Sequence, residues 1–283
     1  MASDIRKDIE HAIHELPALP GLVTRLVELV ESENATADQI ERLIATDPAL
    51  TVKVLHLANS AYYGLTRTIS TVKQAVIVLG FHTVKNLVLG VSAFMALRGS
   101  RSPSPLELEL WEHSFACAGL VREIMLLAGQ GIRQAENAFM AGLLHDIGVL
   151  FLYTRFPREY QKVLRNAASH KARHEVEGEI LGMDHAEVGA LITDSWGLPP
   201  MLVRLIGTHH APYLPEDELR FPTACLMLAD SWSHQQIATE HEFAIPLHPP
   251  EAEAVVNLPD ERRDAILKRV FDAVVAMRSV VAA

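Results

Sequence analysis

Apolar residues recur three and four positions apart along nearly the whole chain, the period of one helix face, and no stretch shows a strong period of two that would mark a half-buried strand. Leu22, Leu26, Leu29 and Val30 set this spacing first; Thr36, with Gln39 three positions on, then has the form of a capping box opening a second helix. Asp47 before Pro48 pairs an N-cap with a proline at the first helical position, which predicts a helix over 48–58. Asn59 to Ile69 reads as a connecting loop, Ser70 caps a helix ending near Gly80, and Thr83 to Leu97 forms another.

Between Gly99 and Pro105 (GSRSPSP) serine and proline become dense and apolar residues vanish, so a linker is expected there. Ser104, Pro105 and Glu107 restart the helical pattern with a cap, a first-position proline and a capping-box carboxylate. Helical patterns follow at 106–129, 136–153, 159–168, 175–181, 186–196, 200–208 and 222–236. Pro246 to Pro250 reads as a second breaker and Asp260 to Ser279 as a terminal amphipathic helix. The expected class is all-α, with an N-terminal helical bundle over 1–99, a helical core over 100–245 and a C-terminal helix over 246–283 packed on that core.

Composition adds limits. The 283 residues are 49% hydrophobic and 21% charged, long and apolar enough for a sizeable core. With 25 Lys plus Arg against 35 Asp plus Glu the net charge is −10, and no basic run stands out, so no nucleic-acid partner is expected. Cys117 and Cys225 cannot supply a disulfide framework and fit a reducing compartment. The N-terminus has no apolar signal core; His82, Lys85 and Asn86 interrupt 75–97, and His145-Asp146 interrupts 138–152. A cytoplasmic protein without a membrane span is the expectation.

Five segments place imidazoles and carboxylates at the edge of apolar runs. Glu109 and His113 stand one turn apart on one helix face. His145 and Asp146 sit inside AFMAGLLHDIGVLFL, where an unpaired carboxylate costs several kcal/mol, on the order of 2–7, and no Lys or Arg lies in the immediate helix. His185 falls in the first turn of a helix that Asp184 can cap, and His209-His210 leave a helix just before Pro212. Asp230 ends the run TACLMLAD. Each has an ordinary explanation alone, as a surface pair, a first-turn histidine or a helix-end imidazole. Together they are one ligand chemistry, and convergence on metal ions would resolve several burial costs at once. His11, His14, His56, His82, His170, His174, His234, His241 and His248 lack such a partner pattern and read as surface or satisfied core residues.

The order His113, His145-Asp146, His185, His209-His210, Asp230 resembles the HD-domain metal-dependent phosphohydrolases, and 184–210 is similar to the segment carrying their later ligands. The N-terminal half resembles the narrower HDOD family, the HD-related output domain of bacterial signalling proteins. LPALPGLVTRLVELVES, TVKQAVIVLGFHTVKNLVLG and above all DPALTVKVLHLANSAYYG carry that likeness. The resemblance implies two divalent transition-metal ions, Fe or Mn favoured, with Zn or Ni compatible. His113, His145 and Asp230 would hold one, His185, His209 and His210 the other, and Asp146 would bridge them. Glu109 resembles the added carboxylate of HD-GYP phosphodiesterases and would recruit a further ion. His145 and Asp146 are the implied catalytic pair, acting on a phosphate-containing small molecule or nucleotide.

Two departures cut against hydrolysis of cyclic dinucleotides. Val149 stands where HD-GYP proteins typically carry a phosphate-holding lysine, and HHAPYLPEDELRFP lacks the Gly-Tyr-Pro signature. HDOD proteins are commonly regarded as degenerate relatives that have lost ligands and activity. The competing reading is therefore a non-catalytic signalling module that binds a protein partner, its metal structural or sensory. A helix-turn-helix DNA binder over 70–97 is disfavoured by the acidic charge and an apolar second helix.

Overall fold

The start signals in the sequence close as hydrogen bonds. Thr36 Oγ1 accepts from Gln39 N while Gln39 Oε1 accepts from Thr36 N at 2.9 Å. Asp47 accepts from Leu50 N at 3.0 Å, and Ser104 and Glu107 complete a reciprocal box at 3.4 and 2.7 Å. Each satisfies donors that a helix terminus leaves open. The computed structural model describes residues 2–32, 34–99, 102–166, 171–237 and 248–274.

Among these the order is α1 (Ala2–His14), α2 (Gly21–Glu31), α3 (Ala37–Ile44), α4 (Pro48–Ala58), a 3-10 turn (Ala61–Tyr63), α5 (Val72–Leu79), α6 (Phe81–Arg98), α7 (Pro105–Leu127) and α8 (Ile132–Leu144). Then come α9 (Ile147–Arg155), α10 (Pro157–Arg165), α11 (Arg173–Leu181), α12 (His185–Ser195), α13 (Pro200–Thr208), α14 (Arg220–Gln236), α15 (Pro250–Val256) and α16 (Asp260–Val274). No strand occurs among the described residues, and the class is all-α.

Several elements differ from expectation. The stretch 136–153 is two helices, because His145 keeps helical angles while Asp146, at φ −96° and ψ 13°, leaves them and starts a new direction. Thr71, not Ser70, caps α5, while Ser70 binds Gln74 through its backbone N–H. The N-terminal α1 buries Ile9 and Ile13, and α15 begins at Pro250 where a breaker was expected, since proline opens helices as readily as it ends them. Residues 100–101 of the linker, 167–168 at the end of the third helix expected after the linker, 246–247 of the breaker and 275–279 of the terminal helix lie outside the described residues.

Helix α7 is buried along most of its length and packs on α8, α14 and α16; α6 packs on α2, α4, α8 and α9. One apolar core runs from Ile9 to Val274, with Tyr62, Trp111, Phe115 and Phe139 in edge or tilted contact at its centre. Buried Glu136 joins three helices by accepting from Thr83, Asn86 and Arg122 at 2.8–3.0 Å. The segment Ile132–Arg155 has the length and composition of a membrane span, yet 94% of that window is buried inside the fold and the helix breaks within it.

Two glycines bring the elements of the site together. A Cβ on Gly142 would lie 2.7 Å from Ala118 Cα, so only glycine lets α8 cross α7 this closely, one turn before His145. A Cβ on Gly148 would meet the His185 carbonyl oxygen at 2.1 Å, so glycine also seats α9 against the start of α12.

Candidate metal centre

The helix break at His145-Asp146 aims two adjacent side chains into one buried space, where α7, α12, α13 and α14 deliver the rest. His113 Nε2 lies 3.0 Å from Asp230 Oδ1, 3.1 Å from His145 Nε2 and 3.6 Å from Asp146 Oδ2. On the other side of Asp146, its Oδ1 is 3.1 Å from His185 Nε2 and 3.9 Å from His209 Nε2. His185 Nε2 faces His210 Nε2 at 2.9 Å. His145, Asp146, His185, His209 and Asp230 are each 3% exposed or less. Three-residue groups drawn from this set, among them His113-His145-Asp146 and His185-His209-His210, have donor atoms within 4.8 Å of one another.

The outer hydrogen bonds fix which nitrogen faces inward. His145 Nδ1 donates to Gly142 O at 2.7 Å and His209 Nδ1 to Ile206 O at 2.6 Å, both carbonyls one turn back on their own helices. His185 Nδ1 donates to Glu177 Oε2 at 2.6 Å, and Tyr160 donates to the other oxygen of that carboxylate at 2.6 Å. With Nδ1 committed as donor, the neutral ring presents its Nε2 lone pair to the centre, as metal-binding histidines do. His209 Nε2 is buried there with no hydrogen-bond partner.

The donor set fits transition-metal ions. Facing Nε2 atoms 2.9–3.1 Å apart repel unless a proton or a cation lies between them, and such separations are the edges spanned by ligands held at about 2.0–2.1 Å from one ion. Without an ion, protons do this work. Burial opposes charge on His145 and His185, but Asp146 for the first, and Glu177 with Asp146 for the second, hold both above the ordinary imidazole range, His185 at about 10. Burial would raise Asp146 and Asp230, yet the imidazoles around them, His145 and His185 for Asp146 and His234 and His113 for Asp230, keep both well below the usual carboxylate range. Burial together with His145 and His185 pushes His209 down to about 3, and burial with His209 lowers His210.

Glu109 stands at the side of this cluster rather than within it: it lines a cleft with His113, Asp146, Arg173 and His234 whose free volume is about 10 Å³, room for a single water. Five further residues belong to the surroundings. His234 Nε2 is 3.4 Å from Asp230 Oδ1, its ring lies 4.1 Å from that of His113, and burial with His113 pushes it down to about 3. His174 stacks on His210 at 4.2 Å. From the sequence alone both read as surface or satisfied core histidines. Asp230 and His234 share the four-residue spacing that groups Glu109 with His113, and that signal could have found His234. Nothing local in the sequence marks Tyr160, Arg173 or Glu177, which reach the site through packing of α10 and α11. His170 and His241 lie outside the described residues.

A family model for the HDOD domain matches residues 16–212. An uncharacterized protein of Treponema pallidum (strain Nichols) is 26% identical over 211 residues, covering 74% of this chain, and the chain spans 40% of that relative's length. An HDOD domain protein of unknown function from Geobacter sulfurreducens has the same fold, with a TM-score of 0.76 at 22% identity over 98% of this chain and 96% of the other. A candidate phosphohydrolase from Shewanella amazonensis SB2B superposes with a TM-score of 0.65 at 25% identity, over 97% and 93% of the two chains.

Proposed function

The chain belongs to the HDOD family, and from that footing we propose that its buried cluster is a two-metal centre hydrolysing a phosphoester of a small molecule or nucleotide. The observation that carries the reading is the set of inward Nε2 atoms on His145, His185 and His209, each fixed by an Nδ1 hydrogen bond and all within 3.9 Å of Asp146. His113, His145 and Asp230 would hold one ion, His185, His209 and His210 the other, with Asp146 between. Glu109 and His234 flank the first site and suit a further ion. The mixed imidazole and carboxylate set suits Fe, Mn, Zn or Ni, and family likeness favours the first two.

When bound, such a pair of cations supplies Lewis acidity, lowering the pKa of water and offsetting negative charge on a phosphoryl group. The protein's part is positioning. Asp146 and Asp230 supply the anionic charge that holds cations in a buried space, and Glu177 fixes the ring of His185. Val149 is fully buried among core side chains, so no cation reaches the site from that position. Arg173 instead lines the cleft with His113 and Asp146; the free space there takes one water-sized group, so its guanidinium is suited to meet a single phosphate oxygen at the edge of the cluster. The likeness to the Shewanella candidate phosphohydrolase supports the same class of reaction.

Protein purified without added metal should carry about two transition-metal ions per chain, and Asp146→Ala should lose them. Parent protein should hydrolyse members of a panel of phosphodiesters and cyclic dinucleotides, and the variant none. A chain that refuses both Fe and Mn refutes the centre. A metallated chain inert on the whole panel leaves the second reading, a signalling module with a structural or sensory metal. The surface that favours that reading is on α4 and α5, which pack together and expose Val52, Ile77 and Val78 by 56–68%, apolar groups a protein partner would cover.

A further inference from the structure

Away from the cluster, a cavity of about 340 Å³ opens between α2, α6, α8 and α13. Its walls are mostly apolar, with Leu89, Met140 and Met201 among them, and Glu31, Lys85 and Arg133 also line it. There two cations share one carboxylate: Lys85 Nζ is 3.5 Å from Glu31 Oε1, and Arg133 Nη2 is 2.9 Å from Glu31 Oε2. The Lys85 side chain is only 12% exposed, and its ammonium makes one long ionic contact, to Glu31. Glu31 is 43% exposed and can turn to solvent without being buried elsewhere.

The cavity wall offers a second polar feature. Asn137, half-buried on α8, lines both this space and a neighbouring one of about 310 Å³, and its amide makes no hydrogen bond to any described residue. Met201 also lines both. Asn86, by contrast, is committed to Glu136. The volume, apolar walls and few convergent polar groups are those of a small-molecule site. The sign of the charge selects the ligand, since two cations against one carboxylate leave a net positive end.

We propose that this cavity binds a small organic anion with a flat apolar body. Its acidic group takes the place of Glu31 at Lys85 and Arg133, its ring packs against Met140 and Met201, whose thioethers suit an aromatic face, and its far edge reaches the Asn137 amide. A nucleotide phosphate and an aromatic carboxylic acid share this chemistry. The site is separate from the metal cluster, and its existence does not depend on whether that cluster is loaded.

The test is fluorescence titration of the full chain with 1-anilinonaphthalene-8-sulfonate, an aromatic sulfonate, displaced by 5′-GMP in one arm and by 2-naphthoate in the other. Saturable binding at one site is expected, with displacement by at least one competitor. GMP alone points to a nucleotide, naphthoate alone to a simple aromatic acid. Lys85→Met should weaken dye binding at least tenfold, and Met201→Trp should abolish it by filling the space. Arg133→Gln, at an exposed position that the fold does not need, should weaken it severalfold and keeps the test valid if the buried variants unfold. Failure of both competitors to displace the dye, or parent-like binding by every folded variant, overturns the proposal.

Discussion

Glu177 Oε2 accepts two hydrogen bonds from His185, one from its backbone N–H at 2.8 Å and one from its ring Nδ1 at 2.6 Å. A single carboxylate oxygen therefore fixes both the first residue of α12 and the rotation of its imidazole. Removing that charge should leave the ring less basic at Nε2 and freer to turn. Glu177→Gln is expected to fold and to bind Mn or Fe about 10–100-fold more weakly, as measured by competition with a chelator. Parent-like affinity would show that Glu177 serves packing alone.

Metal uptake should release protons. His145 and His185, both held above the ordinary imidazole range, carry protons at pH 7 that an ion must displace. About two protons per chain should appear, and affinity should climb as pH rises from 7 towards 10. Calorimetric titration in buffers of different ionisation enthalpy measures the number, and uptake with no net release contradicts the assignment of these rings as ligands.

The metal-free chain should show its own pH dependence. The raised pKa of His185 contributes stability that is complete below its unfolded value of 6.5 and lost as pH rises through about 10. Asp146 and Asp230, held below 3.8, contribute stability present above that value and lost as pH falls. The Tm of chelator-treated protein should therefore decline on the alkaline side from pH 6.5 to 10; on the acid side it should decline already below about 6.5, where His209, His210 and His234 resist protonation in the fold, with Asp146 and Asp230 adding to the loss below about 4. A Tm that rises between pH 6.5 and 10 is the contrary result.

Gly142→Ala and Gly148→Ala should each destabilise the fold, although alanine is the better helix former by about 1 kcal/mol. The added methyl meets backbone, Ala118 in one case and the His185 carbonyl in the other, so the helices must separate. A loss of about 1–3 kcal/mol or more is expected in denaturant unfolding, together with weakened metal binding. Increased stability would mean that the crossings are looser than described.

Arg173→Met should leave metal content unchanged and weaken inorganic phosphate, read as an inhibitor or by direct titration, at least tenfold. Loss of metal alongside phosphate would make Arg173 a prop for α11 rather than a phosphate group.

Much of this was legible in the sequence because it is local. Helical periodicity gave the class, and Thr36, Asp47 and Ser104 announced helix starts with residues whose bonds span only three positions. The cluster showed itself through a cost, carboxylates and imidazoles placed beside core segments. What stayed hidden depends on packing. The turn at Asp146 lies within a pattern that is apolar on both sides, and Tyr160, Arg173 and Glu177 approach through the placing of α10 and α11. His174 and His234 look like any surface histidine until the ring of His210 or His113 is found beside them.

The polar centre is assembled from helices spread between α7 and α14, and its last members, Asp230 and His234, emerge from synthesis long after His113. A growing chain that has made α7, α8 and α9 holds three of the donors but neither the closing carboxylate nor the partner imidazoles. High-affinity loading of the proposed centre would thus be a late event in biogenesis, open only to a chain completed through α14, and a bound ion would act as a clamp that retains finished molecules and passes over truncated ones.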